Sequence, residues 1–189
     1  MSTARRLHYD YAEYLAALEA SSLKLEYCDG VIYAMAGGTR AHAQLAAAMI
    51  VVLRSALPKS CQLATSDLKI RIDDTDLSTF PDVSVVCGEA RTSLIDPNAL
   101  TNPTIVVEVT SKSTEDYDRG DKLSHYKQVA SLRAVLFVSH RSKRVTVVER
   151  TDAGWSERDY RGGEAVALSI HGATFDVDAI YDGVTLDVA

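Results

Sequence analysis

The chain has few of the features that mark membrane, secreted or zinc-binding proteins. No apolar run reaches the ~18 residues needed to span a bilayer, and the basic start, residues 1–6, leads into polar residues instead of an apolar signal core. The three cysteines, Cys28, Cys61 and Cys87, are odd in number and widely spaced. We therefore expect a cytoplasmic protein with no membrane segment, in which the cysteines are buried free thiols and form neither disulfides nor a zinc site.

The chain also lacks an excess of positive charge: 26 acidic residues outnumber 20 Lys/Arg, and the formal net charge of the 189 residues is −6. This argues against a protein that coats nucleic acid without specificity, because such binding requires broad neutralisation of phosphates. Residues 111–150 nevertheless carry a net charge of +4, with nine Lys/Arg and five Asp/Glu. Gly37-Gly38 lacks the lysine and serine of a phosphate loop, and no Gly-x-Ser-x-Gly motif occurs, which disfavours nucleotide and serine hydrolysis.

The apolar periodicity predicts a single α/β domain over residues 1–189. We expect a mixed β-sheet with a helix on each face, and additional β-hairpins. The predicted elements are a helix over 9–18, a hairpin over 23–36 that turns at Asp29-Gly30, a helix from Thr39 to Leu57, strand material over 61–72, strands over 83–86, 105–109 and 134–138, a helix over about 114–129, and β structure from residue 144 onwards.

The most informative residue is Glu108, which interrupts a β-branched run, Ile105 to Val109, that is typical of a strand buried on both faces. A buried carboxylate needs a cation, a hydrogen-bond network or a metal. Asp82 precedes a second apolar strand, and neighbouring strands lie about 4.8 Å apart. If the two strands are adjacent, Asp82, Glu108 and the backbone carbonyl of Val109 could share Mg²⁺ or Mn²⁺ and leave positions open for water and phosphate.

A lysine beside such a metal can orient a water or stabilise negative charge on a phosphate. Asp118, Lys122 and Tyr126 occur at i, i+4 and i+8 and so share one helix face, which could direct Lys122 at the metal and Tyr126 at a phosphate. The alternative is a surface ion pair between Asp118 and Lys122 over a packed tyrosine.

Several ordered motifs resemble the Uma-type family of restriction endonucleases, within the PD-(D/E)XK nuclease superfamily. Together they cover nearly the whole chain. They are Leu25-Glu26-Tyr27-Cys28-Asp29-Gly30, Met35-Ala36-Gly37-Gly38 with His42, Pro81-Asp82-Val83-Ser84-Val85-Val86, Val107-Glu108-Val109-Thr110-Ser111-Lys112-Ser113-Thr114, Asp118 to Tyr126, and Ile180-Tyr181-Asp182-Gly183-Val184.

The resemblance implies a restriction-endonuclease-like fold, magnesium-dependent cleavage of DNA and a homodimer. It assigns Asp82 and Glu108 as metal ligands, Lys122 as a catalytic lysine displaced from strand to helix, and Glu26 as a further ligand or a residue that orients a water. One departure is that Ser139 stands where the family has an acid after the lysine helix.

The remaining histidines offer weaker signals. His42 could bind a phosphate or a carboxylate such as Glu26, or serve as a structural partner. His8, His125, His140 and His171 lack metal-binding spacing and are expected at the surface. The sequence thus predicts an endonuclease that hydrolyses DNA phosphodiester bonds through a metal-activated water; the alternative is a catalytically silent nucleic-acid-binding or scaffold protein with the same fold.

Overall fold

A computed structural model describes residues 8–35, 37–111 and 115–187. Within these ranges, no helix is both long and apolar enough to cross a membrane. The helices are α1 (Tyr11–Ala20), α2 (Arg40–Ala56), α3 (Glu115–Tyr117), α4 (Leu123–Tyr126) and α5 (Val177–Tyr181), with a π-helical segment, Asp118–Lys122, between α3 and α4. The strands are β1 (Leu25–Cys28), β2 (Val31–Ala34), β3 (Cys61–Thr65), β4 (Lys69–Ile72), β5 (Leu77–Thr79), β6 (Val83–Cys87), β7 (Ala99–Leu100), β8 (Ile105–Thr110), β9 (Ala134–Ser139), β10 (Arg144–Thr151), β11 (Gly154–Arg161), β12 (Ala165–Ala167) and β13 (Thr174–Asp176).

The larger sheet has six strands in the order β11-β10-β9-β8-β6-β3, and β8–β9 is its parallel pair. A second sheet has the order β2-β1-β5-β4-β7, and β12 pairs with β13. The β1–β2 hairpin turns at Asp29 and Gly30, which both have positive φ, as the Asp-Gly pair predicted.

Side chains of β8 alternate between the two faces of the larger sheet, and both faces are buried. Val107 and Val109 belong to the apolar cluster that contains Leu45, Met49 and Leu53 of α2. Val106 belongs to a second cluster, with Leu123 and Tyr126 of α4. The alternation places Glu108 on the same face as Val106, towards the segment that carries Lys122.

The ends of α2 match the sequence signals. Thr39 Oγ1 accepts a hydrogen bond from the backbone N–H of His42, and Leu57 caps the other end immediately before Pro58. The prediction of one helix over 114–129 is wrong in detail, because α3, the π-helical segment and α4 occupy 115–126. The Leu123 N–H donates to the carbonyl of Asp118, five residues earlier. Residue 114 lies outside the described ranges.

Two other expectations are corrected. The strand material over 61–72 forms β3 and β4 in different sheets, because a turn at Ser66-Asp67 separates them. Cys61 and Cys87 are not free thiols. They lie opposite each other in the antiparallel β3–β6 pair and form a disulfide, whereas Cys28 is free and half-buried.

A buried ion pair joins the smaller sheet to α1. Lys69 Nζ lies 2.5 Å from Asp96 Oδ2, both side chains are about 95% buried, and the Tyr11 hydroxyl donates to the same carboxylate at 2.8 Å. Burial opposes the Asp96 charge, but the hydrogen bonds from Lys69 and Tyr11 outweigh it and lower the pKa of Asp96.

We predict that Asp96→Asn lowers the free energy of unfolding by about 3 kcal/mol at pH 7, because the Lys69 ammonium is left buried without its counter-charge. Urea denaturation measures this. Since the pKa of Asp96 is lowered by folding, the difference from wild type should shrink as the pH falls below about 4. The exposed pair Lys24–Asp67 provides the control, since Asp67→Asn should leave stability unchanged. A loss below about 1 kcal/mol in Asp96→Asn would show that the pair contributes little.

Candidate active site

Two carboxylates meet at one end of the larger sheet. Asp82 directly precedes β6, Glu108 lies in β8, and the antiparallel register pairs Val83 with Val107. The predicted adjacency of the two strands is therefore confirmed. Asp82 Oδ2 also accepts a hydrogen bond from the backbone N–H of Val109 at 2.7 Å. Both carboxylates border a cleft of about 490 Å³.

Lys122 enters this cleft from the π-helical segment. Its Nζ lies 3.1 Å from Glu108 Oε1, 3.1 Å from Glu26 Oε1 and 3.7 Å from Asp118 Oδ1, and only 5% of its side chain is exposed. The alternative of a surface pair between Asp118 and Lys122 is wrong, because both residues are buried among other acids. Asp118 and Lys122 are the buried residues of the π-helical segment.

Glu26 reaches the cleft from the smaller sheet. Its Oε1 accepts hydrogen bonds from the Thr79 hydroxyl and from the backbone N–H of Phe80 at 3.3 Å. The side chain is 10% exposed and contacts Lys122. The two sheets thus contribute acids to one lysine, and a β-hairpin far from Glu108 in sequence becomes part of the same site.

Three carboxylates lie within 3.7 Å of Lys122 Nζ, those of Glu26, Glu108 and Asp118, and the Asp82 carboxylate borders the same cleft. Burial raises the pKa of Glu108 to about 8; Lys122 opposes this shift, and the negative charges of Asp118 and Asp82 add to it. Burial disfavours the Lys122 ammonium, but Glu108 and the other acids raise the pKa of Lys122 well above its usual value. Lys122 therefore stays charged. The carboxylates of the cleft still outnumber it, so acidic oxygens remain in excess there. Hard divalent cations prefer this donor set.

His42 lies in the first turn of α2, with Nε2 3.3 Å from Asp82 Oδ2. Its carboxylate partner is Asp82, and Glu26 instead contacts Lys122. The hydrogen bond to Asp82 is the main cause that raises the pKa of His42, against the effect of burial. His42 thus holds one oxygen of Asp82 while its ring borders the cleft.

Tyr126 does not occupy the phosphate-binding position predicted for it. Its ring is fully buried, and its hydroxyl donates to Glu108 Oε1 at 2.6 Å, behind the cleft. The reason is the packing of α4, which points Tyr126 into the apolar cluster beneath the sheet. Tyr126 can orient the Glu108 carboxylate, but it cannot reach a substrate in the cleft.

We predict that Tyr126→Phe keeps the fold and weakens Mn²⁺ binding by the carboxylates of the cleft about 10- to 100-fold, the usual cost of removing a group that orients a metal ligand. Calorimetric titration of the metal-free protein measures the effect. Tyr160→Phe, which removes a buried hydroxyl bonded to the Ala167 carbonyl away from the cleft, serves as the control. Equal affinity of Tyr126→Phe and wild type for the ion would mean that the hydroxyl has no part in positioning Glu108.

His140 was expected at the surface, but only 7% of it is exposed, and it lines the cleft. The signal for it was available: β8 and β9 are parallel neighbours, so the residues after both strands meet at one edge. His8 and His171 are exposed and His125 is half-buried, outside the cleft lining. Residues 112–114 and Ala36, which belong to the quoted motifs, lie outside the described residues.

Three comparisons relate this chain to known proteins. The family model Uma2, described as "Putative restriction endonuclease", matches residues 11–178. Two Synechocystis sp. relatives are "Uncharacterized protein slr1290", 37% identical with 91% of this chain and 90% of the relative covered, and "Uncharacterized protein sll1609", 26% identical with 82% and 88% covered. A crystal structure described as "a putative nuclease belonging to DUF820", from Anabaena variabilis, superposes with a TM-score of 0.71 at 14% identity and covers 87% of this chain and 93% of that one. This likeness confirms the predicted α/β fold.

Proposed function

The chain belongs to the Uma2 family, and from this premise we propose that it is a metal-dependent endonuclease that hydrolyses phosphodiester bonds of DNA. The observation that carries the proposal is the position of Lys122, buried at 3.1 Å from both Glu26 and Glu108 within the cleft that Asp82 borders. A lysine required only for stability could pair with one acid at the surface. Here a single ammonium contacts three carboxylates, and a fourth, that of Asp82, borders the same cleft.

Asp82 and Glu108 are the residues that would hold Mg²⁺ or Mn²⁺, because their carboxylates stand side by side at the sheet end and line the cleft. When bound, such an ion supplies Lewis acidity, which makes a water more acidic and offsets charge on the phosphate. The other two carboxylates, those of Glu26 and Asp118, lie beside Lys122, at 3.1 and 3.7 Å from its Nζ.

The protein's own groups have separate roles in this proposal. Lys122 places a fixed positive charge beside the phosphate and stabilises the negative charge that grows during hydrolysis. Glu26 orients Lys122 and can accept a hydrogen bond from a water in the cleft. The Tyr126 hydroxyl holds Glu108 in place at 2.6 Å. His42 does the same for Asp82 at 3.3 Å.

Cleavage of supercoiled plasmid tests the proposal. The reactions contain Mg²⁺, Mn²⁺ or EDTA, with wild type and Asp82→Asn purified in parallel. Cleavage that requires the metal and is lost in the variant supports the nuclease. Equal cleavage by both proteins indicates a contaminant, and no cleavage by either favours the alternative of a catalytically silent binding or scaffold protein. Light scattering after gel filtration tests the homodimer that the family resemblance implies.

A further inference from the structure

His140 lies in the cleft but outside the group of acids around Lys122. The parallel β8–β9 register pairs Glu108 with Phe137, so His140 stands three residues beyond Glu108, about 10 Å along the strand direction. The backbones of Glu108 and His140 therefore stand apart along the sheet, although both residues line one cleft.

The ring of His140 is fixed by the tail of the described chain. Its Nδ1 lies 2.8 Å from Asp187 Oδ2, and the backbone N–H of Asp187 donates to the His140 carbonyl at 3.1 Å. The Thr39 hydroxyl, at the start of α2, donates to the same Asp187 oxygen at 2.7 Å. Thr39 and His140 lower the pKa of Asp187, so the imidazole faces an ionised carboxylate. This carboxylate accepts a hydrogen bond from Nδ1–H and so fixes the orientation of the ring.

The second ring nitrogen of His140 has no protein partner. Nε2 is buried and makes no hydrogen bond with any described residue. A buried polar atom without a partner in a native protein calls for a bound ligand or water. Since the residue borders the cleft, the missing partner would be a molecule that fills the cleft.

Four carboxylates and three basic side chains belong to the described lining of the cleft. Two of the basic side chains contact these carboxylates, Lys122 those of Glu26 and Glu108, and His42 that of Asp82. His140 instead pairs with Asp187, which does not line the cleft, so its Nε2 is the ring atom left for an oxygen of the anionic substrate proposed above.

We propose that His140, oriented by Asp187, binds a phosphate oxygen of the DNA strand, at a phosphate other than the one that is cut. The inference rests on the function proposed above. In the complex Nε2–H donates to the phosphate oxygen while Nδ1–H donates to Asp187, so Asp187 is a positioning residue that acts through His140. The contact recognises the backbone and carries no base information.

The test measures binding of a fluorescent single-stranded or duplex oligonucleotide by anisotropy over a range of NaCl concentrations, with Ca²⁺ in place of Mg²⁺. We expect His140→Gln to weaken binding about tenfold at low salt. The slope of log K against log salt should fall by about 0.9 for duplex or 0.7 for single strands, the loss of one phosphate contact. His8→Gln, which changes an exposed histidine outside the cleft, should keep the wild-type affinity and slope.

The variant Asp187→Asn distinguishes a phosphate contact made by His140 from a general effect of charge on DNA binding. Removal of a carboxylate beside a polyanion site should by charge alone tighten binding. Our proposal predicts the opposite, a several-fold weakening that disappears in the His140→Gln background. Tighter binding in Asp187→Asn, or an unchanged salt slope in His140→Gln, overturns the inference. A wild type that cuts DNA while His140→Gln is unaffected overturns only this inference, whereas a wild type that neither binds nor cuts overturns the proposed function as well.

Discussion

Glu108→Gln should reduce metal-dependent DNA cleavage by about 10³-fold or more, because the substitution removes a charge that both holds the cation and pairs with Lys122. The amide keeps the size of the side chain and can still accept the hydrogen bond from Tyr126. Initial rates of plasmid nicking at saturating Mg²⁺ measure the loss. A residual activity within about tenfold of wild type would show that Glu108 is not part of the reaction centre.

The same variant should be more stable than wild type in the absence of metal. Folding raises the pKa of Glu108 from its ordinary value to about 8, so the native state holds more protons than the unfolded state over that range. Wild-type stability should therefore decrease as the pH rises from about 4.5 to 8, and Glu108→Gln should lack this decrease. At pH 8 we expect the variant to be roughly 1 to 3 kcal/mol more stable in urea denaturation. A less stable variant would mean that Glu108 is needed for the fold and not only for function.

Lys122→Met has the second large expected effect. Unlike Glu108→Gln, it should lower the stability of the protein as well as its activity. The substitution leaves the carboxylates of Glu26, Glu108 and Asp118 buried without their cation. We expect a loss of about 3 to 5 kcal/mol in the free energy of unfolding at pH 8, and a loss of cleavage of about 10²- to 10³-fold. At pH 5 the stability loss should be smaller, because Glu108, whose pKa burial raises to about 8, then holds a proton and carries no charge.

Urea denaturation at pH 5 and pH 8 measures the effect of Lys122→Met on stability. Added Mg²⁺ should restore part of the lost stability at pH 8, since a ligand that binds only the native state stabilises it. Lys143→Met, which removes an exposed lysine paired with Asp178, is the matched control and should change neither quantity. Unchanged stability and activity in Lys122→Met would contradict the central position given to this lysine.

Much of the fold follows from local signals in the sequence. Asp29-Gly30 predicted the hairpin turn, and Thr39 and Pro58 marked the two ends of α2. The β-branched run around Glu108 predicted a strand buried on both faces, which is what β8 is. These features depend on a few neighbouring residues, so the chain sequence contains nearly all the information that determines them.

The features that were missed depend on how distant segments pair. The disulfide requires the β3–β6 register, which places Cys61 opposite Cys87. The burial of His140 requires the chain near Asp187 to return to the end of β9. Tyr126 was placed on the Lys122 face by helical spacing, but the structure directs its hydroxyl to Glu108 from beneath the sheet. Periodicity within one element cannot give these contacts, because it contains no information about the partner element.

Calorimetric titration of the metal-free protein with Mn²⁺ tests the central claim most directly, namely that the carboxylates of Asp82 and Glu108 form a cation site. We predict a saturable binding class in wild type that is lost in both Asp82→Asn and Glu108→Gln, while Tyr160→Phe retains it. Binding of equal affinity in wild type and the two carboxylate variants would contradict the claim and would place any bound metal elsewhere on the protein.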